Sequence, residues 1–204
     1  MLEGRHMQMA IGVLQTNDNT GNIFISSPET YLTLTRWTNI QGWEAFARIF
    51  RSNIVIRQKP NGTYLMPIFS GPENGGHWYL IAVHKHGNFK QGVVIDSLGK
   101  GNSQNPLLCK ISDAFAPGRG QVRWDVNRES VLQTELECGH RTIIAMKIIC
   151  DELARGSSFE QSVSRATLHN TTLSRPYEAS EIRRKVNNLI NTFEPHMTAV
   201  PIRL

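Results

Sequence analysis

Two apolar segments near the middle of the chain, joined by a polar turn, most constrain what this sequence can fold into. The first spans residues 77–83 (HWYLIAV) and the second residues 92–96 (GVVID). Both are short and rich in aliphatic, β-branched and aromatic residues, which indicates buried strands. The polar segment 84–88 between them predicts the tip of an antiparallel hairpin. We therefore expect this hairpin to form part of a central β-sheet.

Patterns on either side predict further strands and helices. Strands are expected at residues 53–57, 64–69 and 121–126, and Pro67 indicates an edge position or a bulge. Helices are expected at residues 28–37 (with Ser27 as N-cap and Pro28 as its first residue), 43–50, 106–115, 138–154, 158–168 and 177–193. Because the strands cluster in the middle and helices flank them, the predicted class is α+β.

The length of 204 residues fits a single domain with a substantial core. Residues 1–7 contain the segment LEGRHM and are expected to be a remnant of a protease site and cloning, so His6 is set aside. The remaining residues, 8–204, are expected to form one domain. Its core would lie at about 53–154 and its C-terminal helical portion at about 155–204.

Composition excludes several classes of protein. Apolar residues make up 40% of the chain and no apolar run approaches the ~20 residues of a membrane span, so a soluble globular protein is expected. The net charge is +5, but its only basic cluster, residues 183–185, is predicted to be a solvated helix face rather than a nucleic-acid site. We expect a monomer that needs no cofactor or metal.

The cysteines point to thiol chemistry rather than to disulfides. The chain has three cysteines, Cys109, Cys138 and Cys150. This odd number, without CxxC spacing, fits a reducing compartment such as the cytoplasm or nucleus. Cys150 falls in an apolar stretch of helix, and Cys109 on a short helix, so both are expected in the core. Cys138 lies where a loop becomes a helix, and it is expected to face the surface there.

A cysteine nucleophile needs a base, a group that orients the base, and donors for the oxyanion. His77 begins one strand of the hairpin and Asp96 ends the other, nineteen residues later. In an antiparallel hairpin these two ends are neighbours, so the carboxylate is predicted to orient the imidazole. The N-terminus of a helix lowers the pKa of a thiol and offers N–H groups to an oxyanion, which suits Cys138. Gln133 can supply a second donor.

At these residues the chain resembles the CE clan of cysteine proteases, which includes SUMO proteases of the Ulp1 type, adenain-like proteases and bacterial effector deubiquitinases. The resemblance covers roughly residues 53–153 and follows the order His77, Asp96, Gln133, Cys138. It implies an α+β fold with a central mixed sheet flanked by helices, and a nucleophile at the N-terminus of a buried helix. It also implies a base, an orienting carboxylate, an oxyanion donor and a nucleophile at these four residues in turn. Glu137 departs from the Asp that commonly precedes the nucleophile.

The resemblance implies that residues 8–204 are the catalytic domain of a thiol protease or isopeptidase that cleaves after the C-terminal glycine of ubiquitin or a ubiquitin-like protein. Trp78 could help line the narrow channel for that glycine, and Trp37 or Trp43 could help cover it. The clan also contains YopJ-type acetyltransferases, which use the same residues with acetyl-CoA, so this alternative stays open. The intact set of groups argues against a catalytically dead binding module. A pathogen protein of this kind would act inside the host cell.

Overall fold

The computed structural model describes residues 4–16, 21–30, 61–70, 76–99, 106–115, 122–126, 137–172 and 176–191. In chain order the elements are α1 (Gly4–Thr16), β1 (Ile23–Ile25), β2 (Glu29–Thr30), β3 (Gly62–Phe69), β4 (Trp78–His86), β5 (Phe89–Ile95), α2 (Pro106–Phe115), β6 (Arg123–Val126), α3 (Cys138–Ala154), α4 (Phe159–Thr172) and α5 (Pro176–Asn191). Among these residues, no helix is both long and apolar enough to cross a membrane.

The strands form one mixed sheet. Its order is β1-β3-β4-β5-β6, and β2 also pairs with β3. β4 is antiparallel to both of its neighbours, whereas β1 and β2 run parallel to β3, and β6 runs parallel to β5. The central hairpin turns through Gly87 and Asn88, so β4 is longer than the sequence pattern predicts. The predicted α+β class with a central mixed sheet is confirmed.

Helices cover both faces of the sheet. One face, which carries Leu65, Leu80 and Ile95, packs in one apolar core with residues of α1, α3, α4 and α5. The opposite face, which carries Tyr64 and Ile81, packs with residues of α2. α3 packs on this face and contacts β4, the strand that begins at Trp78.

The helix predicted to begin at Pro28 is wrong at its first turn. Glu29 and Thr30 form β2 instead, in parallel register with Ile68 and Phe69 of β3. The local pattern is that of a helix N-terminus, but pairing with β3 overrides it. The rest of that helix, the helix predicted at 43–50 and the strand predicted at 53–57 lie outside the described residues.

Pro67 lies in an interior strand rather than at an edge. Ser70 N–H donates to the His77 carbonyl, so Ser70 and His77 form a hydrogen-bonded pair. Along an antiparallel ladder, hydrogen-bonded pairs alternate with non-hydrogen-bonded pairs. Pro67 and Leu80, three pairs further on, therefore form a non-hydrogen-bonded pair. Its nitrogen therefore points to the side of β1 and β2. Those strands pair with residues 63–65 and 68–69, so the proline occupies the break between them.

The first helix is not predicted by the sequence analysis. α1 includes residues 4–7, which the sequence suggests are a cloning remnant, and Met7 is fully buried. Four apolar residues of α1 recur at helical spacing and lie in the core that also holds Cys138; they are Met7, Ala10, Ile11 and Leu14. α1 therefore packs in the same layer as α3.

Candidate active site

His77 is held by the ends of two strands. Gly76 precedes it with φ 63°, a left-handed conformation that glycine adopts without a steric cost. The His77 N–H donates to Ser70 Oγ at 2.9 Å, and Ser70 N–H donates to the His77 carbonyl at 2.8 Å. These two bonds continue the pairing of β3 and β4 by one residue and fix the backbone of the histidine.

Asp96 follows the last residue of β5 and faces the histidine. Nε2 of His77 lies 2.6 Å from Asp96 Oδ1, and the Leu98 N–H donates to the same oxygen at 2.8 Å. The Gly99 N–H donates to the Asp96 carbonyl at 3.0 Å and closes a turn. The side chains of His77 and Asp96 are 12% and 7% exposed. The structure therefore brings together the two residues that the hairpin argument pairs.

Cys138 is the first residue of α3 and completes the group. Its sulfur accepts hydrogen bonds from the His77 side chain and from the N–H groups of Trp78 and Gly139. Because Nε2 of the imidazole faces Asp96, Nδ1 is the ring nitrogen that donates to the sulfur. The ladder between β4 and β5 begins with Leu80 opposite Ile95, so the Trp78 N–H lies beyond it.

The environment favours a thiolate and an imidazolium. Burial alone would raise the pKa of Cys138, but hydrogen bonds from His77, Trp78 and Gly139 and the charge of His77 lower it overall. Burial alone would lower the pKa of His77, but hydrogen bonds and charges from Asp96 and Cys138 outweigh it and raise that pKa to about 9. Both shifts favour the ion pair of a thiolate and an imidazolium, which is the reactive state of a cysteine nucleophile.

Burial differs from expectation at two cysteines. Cys138 is expected to face the surface, but it is only 3% exposed, because the start of α3 packs against the sheet. Cys109 is expected in the core, but it is exposed on α2. Cys150 is buried in the core, in agreement with its apolar surroundings in the sequence.

The other predicted site residues are less directly placed. Trp78 is 4% exposed, its ring packs 5.0 Å from that of Phe69, and its Nε1 makes no hydrogen bond in the described part of the chain. Its backbone N–H donates to the sulfur of Cys138. Gln133, Trp37 and Trp43 lie outside the described residues.

Two supporting residues are absent from the sequence analysis. Ser70 reaches His77 through the pairing of β3 and β4, a contact that no local motif signals. Tyr79 stacks with His77 at 6.4 Å between ring centroids and 19° between ring planes. The alternation of side chains along a strand could have indicated Tyr79, since residues two apart share a face.

Comparison with known proteins adds a likeness of fold. No protein-family model matches the chain, and no curated protein matches it in sequence. The SUMO protease Ulp1 aligns with a TM-score of 0.57 and 14% identity over 94% of this chain and 78% of its own. The Rickettsia bellii effector protein RickCE aligns with a TM-score of 0.57 and 10% identity over 98% of both chains. The ASFV pS273R protease aligns with a TM-score of 0.52 and 11% identity over 86% of this chain and 67% of its own.

The alignments to these structures extend far beyond the segment that carries the sequence resemblance. They include the C-terminal helical portion, and they agree with the observed mixed sheet and its flanking helices. At such low identity, what they share with this chain is the fold. The expected resemblance is confirmed at that level: the chain has the fold of the CE-clan, Ulp1-type cysteine proteases.

Proposed function

We propose that this chain is a thiol protease or isopeptidase that cleaves after the C-terminal glycine of ubiquitin or a ubiquitin-like protein. The observation that carries the proposal is the arrangement of three side chains. Cys138 is hydrogen-bonded to His77, whose other ring nitrogen lies 2.6 Å from Asp96. Such an arrangement generates a thiolate, keeps a proton beside it and orients the group that carries that proton.

The first step is attack on the glycine carbonyl. The Cys138 thiolate forms a C–S bond to the carbonyl carbon, and the carbonyl π electrons move to oxygen to give a tetrahedral intermediate. N–H groups at the start of α3 can donate to that oxygen, because they have no partner within the helix. Gln133 is proposed as the second donor, through its side-chain amide.

The second step is expulsion of the amine. His77 gives its Nδ1 proton to the leaving nitrogen as the C–N bond breaks, which leaves a thioester on Cys138. Water then attacks the thioester while His77 accepts its proton, and the thiolate and a glycine carboxylate are released. Asp96 stabilises the imidazolium before attack and after the proton has returned.

The substrate class rests on the fold and on the surroundings of the histidine. Ulp1, which shares this fold, has a solved structure in complex with Smt3, the yeast ortholog of SUMO. A diglycine end suits a narrow channel that excludes larger side chains. Trp78 is proposed to help line that channel, since it directly follows His77 and its backbone N–H donates to Cys138.

The proposed site also favours a cellular location. A nucleophilic thiolate is lost on oxidation, so the enzyme is proposed to act in the cytoplasm or nucleus, where thiols stay reduced. If the source is a virus or a bacterium, that compartment belongs to the host cell. Two of the neighbouring structures are described as a viral protease and a bacterial effector protein, and they support this placement.

A substrate panel tests peptidase against acetyltransferase. The protein is incubated with ubiquitin, SUMO and other ubiquitin-like proteins carrying a C-terminal fluorogenic amide, and acetyl-CoA hydrolysis and acetyl transfer are followed in parallel. We expect release of the fluorophore from at least one modifier, no acetyl-CoA turnover, and loss of the signal in Cys138→Ala. Acetyl-CoA turnover that depends on Cys138, without amide cleavage, would instead support the acetyltransferase.

A further inference from the structure

The residue immediately before the nucleophile lies in a buried cluster of charges. Glu137 is 2% exposed, and its Oε2 accepts a hydrogen bond from Nη2 of Arg141 at 3.3 Å. Its Oε1 lies 3.5 Å from Nη2 of Arg183. Arg141 is a buried residue of α3, whereas Arg183 belongs to α5 and its side chain is 44% exposed. The last described helix therefore contacts the residue next to Cys138.

Glu137 occupies the N-cap position of α3 but makes no side-chain capping hydrogen bond. The short side chains of Ser, Thr, Asp and Asn ordinarily accept N–H groups of the first turn at this position, on an extended backbone, whereas Glu137 is longer and has helical backbone angles. In this protein the two carboxylate oxygens are engaged by arginines instead. Because Glu137 does not cap the helix, N–H groups at the start of α3 can donate to the thiolate and the oxyanion.

The cluster also affects the charge beside the nucleophile. A carboxylate next to Cys138 on its own would oppose formation of the thiolate. Arg141 balances that charge within α3, and Arg183 adds a second positive charge from α5. The three side chains together are formally positive, which favours an anion at the first residue of the helix.

We propose that Arg183 is a positioning residue for the reaction: by binding Glu137 it offsets the charge of that carboxylate beside Cys138 and stabilises the Cys138 thiolate. α5 is then a part of the catalytic unit. The inference rests on the proposed role of Cys138 as the nucleophile, and it extends that role to a helix far away in sequence.

Several other charged and titratable groups lie on the strands and helices that surround Glu137 and Cys138. They are His77 and Asp96 at the sheet, His140 on α3, Glu181, Arg184 and Lys185 on α5, and Arg5 and His6 on α1. Among them, Arg184 offers a matched control. It is adjacent to Arg183 but pairs with Glu181 at 2.8–2.9 Å on the exposed side of α5.

The test measures the alkylation rate of Cys138 by iodoacetamide against pH, without substrate, in a Cys109→Ser background. We expect Arg183→Gln to lower that rate by about two- to fivefold on the acidic side, the size expected of a half-exposed ion pair. Arg184→Gln should leave the profile unchanged, and Arg183→Lys should keep most of the rate because it keeps the charge. A profile for Arg183→Gln that coincides with the parent profile would overturn the inference.

A second variant should change the alkylation rate of Cys138 in the opposite direction. Glu137→Gln removes the negative charge, so the alkylation rate on the acidic side should rise. A purely structural role for the cluster would lower the rate in both variants, and that result would overturn the inference. If Arg183→Gln does not fold, Arg183→Met, which keeps the aliphatic part of the side chain and loses its charge, is measured in the same way, and an unchanged profile would again overturn the inference. A parent Cys138 that reacts as an ordinary thiol would instead refute the proposed function, which separates the two failures.

Discussion

Oδ1 of Asp96 accepts hydrogen bonds from both Nε2 of His77 and the backbone N–H of Leu98, at 2.6 Å and 2.8 Å. The turn that follows β5 therefore helps to set the orientation of the imidazole. The same turn is closed by the Gly99 N–H to the Asp96 carbonyl. A rigid carboxylate of this kind fixes one ring nitrogen and leaves the other to the cysteine.

Asp96→Asn should lower kcat/KM by ~10²–10⁴ while the free energy of unfolding changes little. The Asn carbonyl can still accept the Leu98 N–H, but the amide is neutral and cannot stabilise the imidazolium. Steady-state cleavage and chemical denaturation measure the two quantities. Asp113→Asn, an exposed change on α2, is the matched control. Turnover near that of the parent would remove Asp96 from the mechanism.

The pH profile should be bell-shaped, with its basic limb near pH 9. The raised pKa of His77, about 9, means that the imidazolium is present below that pH and is lost as pH rises through it. The lowered pKa of Cys138 means that the thiolate is lost as pH falls. The measurement is kcat/KM from acid to alkaline pH. A basic limb near 6.5, the ordinary pKa of histidine, would contradict the ion pair.

Ser70→Ala should lower kcat about tenfold, because the His77 backbone loses the hydroxyl that accepts its N–H. It should also reduce the free energy of unfolding by about 1 kcal/mol. Ser70→Thr keeps a hydroxyl and should restore most of kcat, which a general loss of packing would not allow. Unchanged kcat in Ser70→Ala would show that the pairing of β3 and β4 is sufficient to place the histidine.

Gln133→Ala should lower kcat by ~10²–10³ with little change in KM, since the oxyanion exists only after attack. Alkylation of Cys138 by iodoacetamide should persist, because that reaction forms no oxyanion. Comparison of the two rates is the measurement. Loss of alkylation in step with turnover would show that Gln133 shapes the thiolate or its loop instead.

The sequence reveals those parts of the fold and site that rest on local patterns. The pairing of His77 with Asp96 follows from a hairpin that is visible as two apolar runs, and the position of Cys138 follows from the start of an apolar helix. These features need only the period of a strand or helix and the geometry of an antiparallel turn.

Other features depend on contacts between segments far apart in sequence. β1 and β2 span three and two residues, too short for a periodic signal, and both exist because they pair with β3. Likewise, the local sequence gives no sign that Arg183 reaches Glu137, because its neighbour Arg184 has the same side chain and faces elsewhere. α1 does carry a helical pattern, but that pattern begins among residues set aside as a cloning remnant.

The most direct test of the account is the site of reaction with ubiquitin and SUMO probes that carry a C-terminal electrophile in place of the final carboxylate. We expect a covalent adduct with at least one probe, located on Cys138 by peptide mass spectrometry and absent in Cys138→Ala. Cys150→Ser should still form the adduct, because that thiol lies in the core. An adduct on Cys109 or Cys150 that persists in Cys138→Ala would contradict the assignment of the nucleophile.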